Sequence, residues 1–175
     1  RDGYIHVVLD RRRQSRAAFL EKHAVRALST AEQVKLWKLL ELQRHAMLMY
    51  TSCGWFFDEL SGIETVQVMQ YAGRVIQLAQ KLFGEDLEPQ FLELLRAARS
   101  NVPDCGDGAR IWEQSVKPCM VDLEKVGAHY AISAMFKPHP EVTRIFSYQI
   151  VRQDHHTIDS GRLKLALGRA QFTSR

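Results

Sequence analysis

A chain of 175 residues, 46% hydrophobic and 25% charged, is long enough to bury one core and too evenly mixed to be disordered. Its 24 basic and 20 acidic side chains leave a net charge of +4, and no apolar run approaches the ~20 residues that span a bilayer, so no membrane partner is expected. The three cysteines, Cys53, Cys105 and Cys119, are odd in number and lack C-x-x-C spacing, which argues against a disulfide framework or a zinc cage and for reduced thiols in a cytoplasmic protein.

The first apolar run, Tyr4-Ile5-His6-Val7-Val8-Leu9, arrives before any leader or initiator Met, and the expectation is that Arg1 is a cut within a longer chain. The basic group Arg11-Arg12-Arg13 with Arg16 has no interleaved aromatics and no nucleic-acid motif behind it, so it reads as a solvated helix face. Helix formers continue to about Leu28, with Ala17, Leu20, Ala24 and Leu28 on one side. Ser29-Thr30 followed by Glu32 and Gln33 is an N-terminal capping signal. The helix it opens runs to about Tyr50, and its wide apolar sector (Leu36, Trp37, Leu39, Leu40, Met47) predicts the central helix of a bundle.

Residues 51–62 break the pattern. Spacing of 3–4 resumes from Ile63 to Phe83 and closes on Gly84, and Pro89 opens a shorter helix that ends before Asn101-Val102-Pro103. A loop from Asp104 to Gly108 precedes a long helical stretch, Ala109 to about Phe136, which Pro118 should kink or restart. Its inner stripe is Trp112, Val116, Cys119, Leu123, Val126 and Tyr130. After Lys137-Pro138-His139-Pro140 the period becomes 2, with Phe146, Tyr148 and Ile150 in one run and Leu163, Leu165 and Leu167 in another, joined across Asp159-Ser160-Gly161. The fold class predicted is therefore mainly α: a bundle of about five helices over residues 1–140, then a β-hairpin in residues 141–175 that begins a truncated β-domain. The hairpin's unpaired edges offer a route to a homo-oligomer.

No catalytic residue, metal site or cofactor motif emerges. The seven histidines include adjacent His155-His156 and proline-flanked His139, without H-E-x-x-H or a carboxylate cluster at ligand spacing. Glu41 and His45 stand four apart on one helix and read as an ordinary i,i+4 contact. Ser52 and Ser61 lack a nucleophile elbow. Cys53 falls just after a helix, and a thiolate is favoured at the start of one. Trp55-Phe56-Phe57-Asp58-Glu59 stands apart. On residue types the simpler reading is a plug for the end of the bundle, with Asp58 or Glu59 as a cap. The other is a sugar- or base-binding site, with Trp55 and Phe56 stacking and Asp58 and Glu59 accepting hydrogen bonds.

The segment Gln43-Arg44-His45-Ala46-Met47-Leu48-Met49-Tyr50-Thr51-Ser52-Cys53-Gly54-Trp55-Phe56-Phe57-Asp58-Glu59-Leu60-Ser61-Gly62-Ile63-Glu64-Thr65 resembles an uncharacterised bacterial helical domain that follows the catalytic module of glycoside hydrolase family 57-like proteins. The similarity continues through Val121-Asp122-Leu123-Glu124-Lys125-Val126-Gly127-Ala128-His129-Tyr130-Ala131-Ile132 and covers most of the chain. The resemblance implies a parent glycosidase or glucanotransferase acting on α-linked glucans by a retaining mechanism. Its two carboxyls would stand roughly 5–5.5 Å apart on an upstream barrel. Nothing in this chain matches those catalytic motifs. In that family the bundle leans on the barrel and lends the sugar cleft a helix-end motif rich in Ser, Asp and Trp. Ser52 to Asp58 looks like its counterpart, departing at Gly54, where an acidic residue often precedes the Trp.

The function expected is therefore an accessory helical region of a family 57-like enzyme that buttresses the barrel and lines part of the α-glucan cleft through Trp55, Phe56, Asp58 and Glu59. The partner is the upstream barrel of the same chain, with no nucleic acid. The alternative is a protein–protein interaction or structural bundle with no carbohydrate contact.

Overall fold

The computed structural model describes residues 2–174; Arg1 and Arg175, the outer ends of the two expected regions, lie outside the described residues. The chain divides into two compact units, Arg1–Met120 and Val121–Arg175. The division falls some twenty residues before the boundary expected at 140, because the last helix packs on the sheet.

In the first unit a 3₁₀ turn, Asp2–Tyr4, leads into α1 (Ile5–Leu9), α2 (Arg13–His23), α3 (Thr30–Leu48), α4 (Cys53–Phe56), α5 (Ile63–Phe83), α6 (Glu88–Ala97) and α7 (Gly108–Ile111). A π-helical turn, Trp112–Val116, and a 3₁₀ turn, Lys117–Cys119, complete it. Asp10 separates α1 from α2. Its carboxylate takes the Arg12 amide at 3.0 Å and the Ser15 hydroxyl at 2.7 Å, and hydrogen bonds from Arg12 and Ser15 hold it far below the usual carboxylate range. The helix expected to reach Leu28 stops at His23, where Ala24 turns extended.

Of the basic group, Arg11 reaches Glu41 at 3.3 Å, Arg12 pairs with Asp10 at 2.8 Å, and Arg16 lies over the Trp37 ring at 5.2 Å. Tyr4, Phe19 and Trp37 form an aromatic cluster with ring centroids 5.6–6.2 Å apart, fastening the start of the chain and α2 to α3.

The capping box expected at α3 is formed: the Glu32 amide donates to the Ser29 hydroxyl at 3.3 Å, and the Ser29 amide to the Glu32 carboxylate at 2.8 Å. The centre of the unit belongs to α5 and not to α3, which carries no buried residue. Met69, Ala72 and Ile76 of α5 pack against Ile111, Trp112 and Val116, while Met47 of α3 stays half exposed. Trp112 is fully buried, meets Phe91 edge-on at 5.3 Å, and donates its indole N–H to Glu88 at 3.0 Å. Gly73 allows this closeness, since a Cβ there would stand 3.3 Å from Met120 and 3.4 Å from the indole.

The helical stretch from Ala109 to Phe136 breaks at Pro118 and restarts, as expected. Pro118 sits in the 3₁₀ turn, Met120 is extended, and a new helix starts behind Asp122, whose carboxylate accepts the Lys125 amide at 2.8 Å. The expected inner stripe is thereby cut in two. Trp112 and Val116 belong to the first core and Val126 and Tyr130 to the second, and Cys119 and Leu123 between them are exposed.

The second unit holds α8 (Leu123–Ala134), β1 (Val142–Ile145), β2 (Tyr148–Ser160) and β3 (Leu163–Ser174), the strands forming an antiparallel sheet in the order β1-β2-β3. Its core is Val126 and Tyr130 of α8 with Tyr148 and Ile150 of β2, packed against Phe172. The expected hairpin is β2–β3, and its turn has Gly161 at φ 60, the position where a two-residue II′ turn calls for glycine. β1 adds a third strand. The tight β1–β2 turn forces Phe146 to φ 53, a left-handed conformation that a bulky side chain adopts only under strain.

Between Arg152 and Asp154 the β2–β3 register shifts and Gln153 has no partner, a β-bulge. Ile150 and Arg152 therefore share the helix-facing side with His155 and Thr157, opposite Phe172, Ala170, Gly168 and Ala166 of β3. Gly168 fits the bulge closely, because a Cβ there would come within 2.6 Å of the Asp154 carbonyl oxygen. Among the described residues, no helix is long and apolar enough to cross a membrane.

Candidate functional site

The aromatic segment emerges on a single helical turn, α4, at the end of the first unit's helix pair α3–α5. Trp55 is 73% exposed, Phe56 71% and Phe57 50%, with the two phenyl rings edge-on at 5.2 Å. These rings do not fill the core. Gly54 brings α4 down onto α5: a Cβ at this position would lie 2.9 Å from Val68. The reason for glycine before Trp55 is thus close packing, and an acidic side chain has no room there. Gly62 adopts an ordinary φ of −62° as the residue before α5.

Of the two acidic residues, Asp58 is exposed and its carboxylate has no hydrogen-bond partner among the described residues. Glu59 is committed to the scaffold. Its Oε1 accepts the Ser61 amide at 2.8 Å and the Ser100 hydroxyl at 2.6 Å, and its Oε2 accepts the Asn101 amide at 2.8 Å. The Asn101 side-chain amide donates in turn to the Asp58 carbonyl, and the Thr65 hydroxyl to the Glu59 carbonyl at 3.3 Å. Hydrogen bonds from Ser100 and from the Ser61 and Asn101 amides hold the Glu59 carboxyl at about 2. The structure thus brings Trp55, Phe56 and Asp58 to one exposed turn, and uses Glu59 to tie that turn to residues 100–101. Sequence reasoning missed Ser100 and Asn101: Asn101-Val102-Pro103 was legible only as a helix end, and no local pattern joins it to Glu59.

Cys53 is exposed and is the first residue of α4, not a residue trailing a helix, though α4 is only one turn long. Glu41 and His45 are more than an i,i+4 contact. Glu41 accepts Tyr4 Oη at 2.6 Å, Arg44 Nη2 at 2.9 Å and Arg11 Nη2 at 3.3 Å. Burial works to raise this carboxyl, but the bonds from Arg44 and Tyr4 outweigh it and hold it at about 2. Burial and the bond to Glu41 push the Tyr4 hydroxyl far above its ordinary value. His45 Nδ1 donates to the Glu41 carbonyl at 2.7 Å and Nε2 accepts from Arg44 at 3.2 Å, which makes the ring neutral; burial, the leading cause, shifts its pKa down. Every group is satisfied within the protein, as in a structural brace fastening the start of the chain to α3. Among the described residues, no three His, Cys, Asp or Glu side chains gather as a metal site.

The architecture is a mainly helical protein whose first unit displays an exposed aromatic turn and whose second packs one helix on a three-stranded antiparallel sheet. A family model described as a domain of unknown function (DUF3536) matches residues 1–175, and the chain belongs to that family. No curated protein and no solved structure matches it.

Proposed function

We propose that this domain is an accessory, non-catalytic region of a family 57-like enzyme acting on α-linked glucans in the cytoplasm of a bacterium, where it buttresses the upstream barrel and presents the Trp55 turn to the sugar. The observation that carries the reading is an exposed indole and phenyl pair held in place by a fully hydrogen-bonded Glu59. An indole face suits the C–H face of a pyranose, and Asp58 beside it accepts hydroxyl hydrogen bonds. In this reading Trp55, Phe56 and Asp58 touch the sugar, and Glu59 positions them. Titrating the chain with maltooligosaccharides while following the Trp55 indole and Asp58 amide resonances tests it. Shifts confined to residues 54–58 and lost in Trp55→Ala support sugar contact; no saturable shift in the chain, nor in a protein extended to include the upstream barrel, overturns it.

The second reading, a protein–protein interaction bundle without carbohydrate contact, is favoured by Leu163, Leu165, Leu167 and Ile158, all at least half exposed and on the sheet face away from α8. Sedimentation separates the two: self-association or barrel binding that is lost in Leu165→Lys and untouched by Trp55→Ala belongs to the second.

A further inference from the structure

The second unit contains a cavity of about 310 Å³ between the end of α8, the segment after it and the helix-facing side of the hairpin. Lys137, His139, Arg152, His155, Thr157 and Lys164 supply its polar lining, and no carboxylate contributes to it. We propose that this cavity binds a phosphate monoester. The inference stands apart from the sugar-contact reading of Trp55.

Charge is the first argument. Three permanent cations face one concave surface. Among the described residues the Lys137 ammonium has no ion-pair partner, and the carboxylate nearest Lys164, Asp159 at 3.6 Å, lies outside the lining. Asp154, the other acidic residue of the strand, is held by His156 at 2.9 Å on the opposite face. Like charges gathered in a recess repel one another, and an anion relieves that repulsion.

Pre-organisation is the second. Arg152 Nη1 donates to the His139 carbonyl at 3.2 Å, which fixes the guanidinium at the cavity wall and leaves its other N–H groups for a ligand. The His139 ring stacks on Tyr130 at 5.1 Å and 28°. Ser133 donates its hydroxyl proton to the Tyr130 carbonyl at 3.1 Å, so its contact with His139 Nε2 at 2.8 Å has the ring nitrogen as donor. The bulge at Gln153 brings His155 and Thr157 to this face, where the Thr157 hydroxyl lies 3.2 Å from His155 Nε2.

Donor geometry and size select the ligand. A fork from Arg152, the Lys137 ammonium, the Lys164 ammonium that also meets Asp159, and a hydroxyl approach from different elements, which suits a dianion with three acceptor oxygens better than a flat carboxylate. The volume sits at the lower end of the ~300–1,000 Å³ typical of small-molecule sites and exceeds what a bare phosphate fills. Met135, Phe136 and Pro138 line the remainder and give the organic portion an apolar wall.

Calorimetry on the full chain at physiological ionic strength, in phosphate-free buffer, tests the proposal with inorganic phosphate, a hexose 1-phosphate and adenosine monophosphate. The unphosphorylated hexose and adenosine serve as controls. The expected result is saturable binding of at least one ester, tighter than inorganic phosphate and absent for the controls. Lys137→Gln and Lys164→Gln, both at exposed positions, should each weaken it about tenfold at unchanged melting temperature, and Arg152→Lys should weaken it while keeping the charge. Preference for the hexose ester or for the nucleotide identifies the organic portion. Failure of all three probes to saturate, inorganic phosphate binding as tightly as both esters, or indifference to the two lysine variants overturns the proposal.

Discussion

The Glu59 carboxylate accepts the Ser100 hydroxyl at 2.6 Å across 41 positions of sequence, and through this bond the turn that carries Trp55 is tied to the loop after α6. The same carboxylate receives the Asn101 amide on its other oxygen at 2.8 Å, so that a single charged side chain serves both segments. A carboxyl lowered in the folded protein stabilises it above its ordinary value, and that contribution fades as pH falls from 4.5 through about 2. Amide exchange at Ser61 and Asn101 should therefore accelerate as pH is lowered through this window, after correction for intrinsic rates. Glu59→Gln should show the accelerated exchange already at neutral pH and lose that part of the acid dependence.

Two tryptophans should respond oppositely to truncation. Trp112→Ala removes a fully buried indole, its edge-on contact with Phe91 and the partner of Glu88, and should cost about 3–5 kcal/mol. Trp55→Ala removes a side chain 73% exposed and should stay within about 0.5 kcal/mol. Chemical denaturation of both variants checks this contrast. An equal loss for Trp55→Ala would mark it as a packing residue and remove the basis for the proposed sugar contact.

Gly54→Ala should destabilise the first unit although alanine is the better helix former. Its new Cβ would meet Val68 Cγ2 at 2.9 Å, and valine's stiff χ1 leaves the backbone to move instead. Overpacking of this kind costs about 1–3 kcal/mol. Adding Val68→Ala should recover most of the loss relative to Val68→Ala alone, a coupling that thermal melts of the four proteins in the cycle measure.

Phe146→Gly should stabilise the second unit. At φ 53 a bulky residue carries a penalty of about 1–2 kcal/mol that glycine does not, and Phe146 gives up little contact because it is 70% exposed. A rise in the denaturation midpoint with unchanged slope is the expected result; a fall would show that the phenyl ring contributes more than its exposure indicates.

What the sequence made legible was punctuation. The Ser29–Glu32 capping box, the left-handed Gly84 at the end of α5 and the proline in the first turn of α6 all stand where residue chemistry placed them. Three-dimensional partnership was not legible. An apolar sector on α3 and one on α5 look alike in spacing, yet only tertiary contact decides that α5 is central. The stripe from Trp112 to Tyr130 kept its period across Pro118, and spacing alone does not tell that its ends enter different cores. β1 went unread because four residues after a proline-rich segment are too few to show alternation. At the candidate site, the aromatic residues announced themselves, whereas the anchor at Ser100 and Asn101 depends on a loop closure that no local signal encodes.

The bulge at Gln153 has a consequence for tolerance of length. Counted along the ladder, β2 carries one residue more than β3 requires, and the surplus is absorbed at the bulge without altering which side chains share a face. A chain lacking position 153 would therefore pair Arg152 with Ala170 and Asp154 with Arg169 as before, and His155 and Thr157 would keep their side of the sheet. Single-residue shortening at this point is a change in spelling that leaves the sheet's meaning intact.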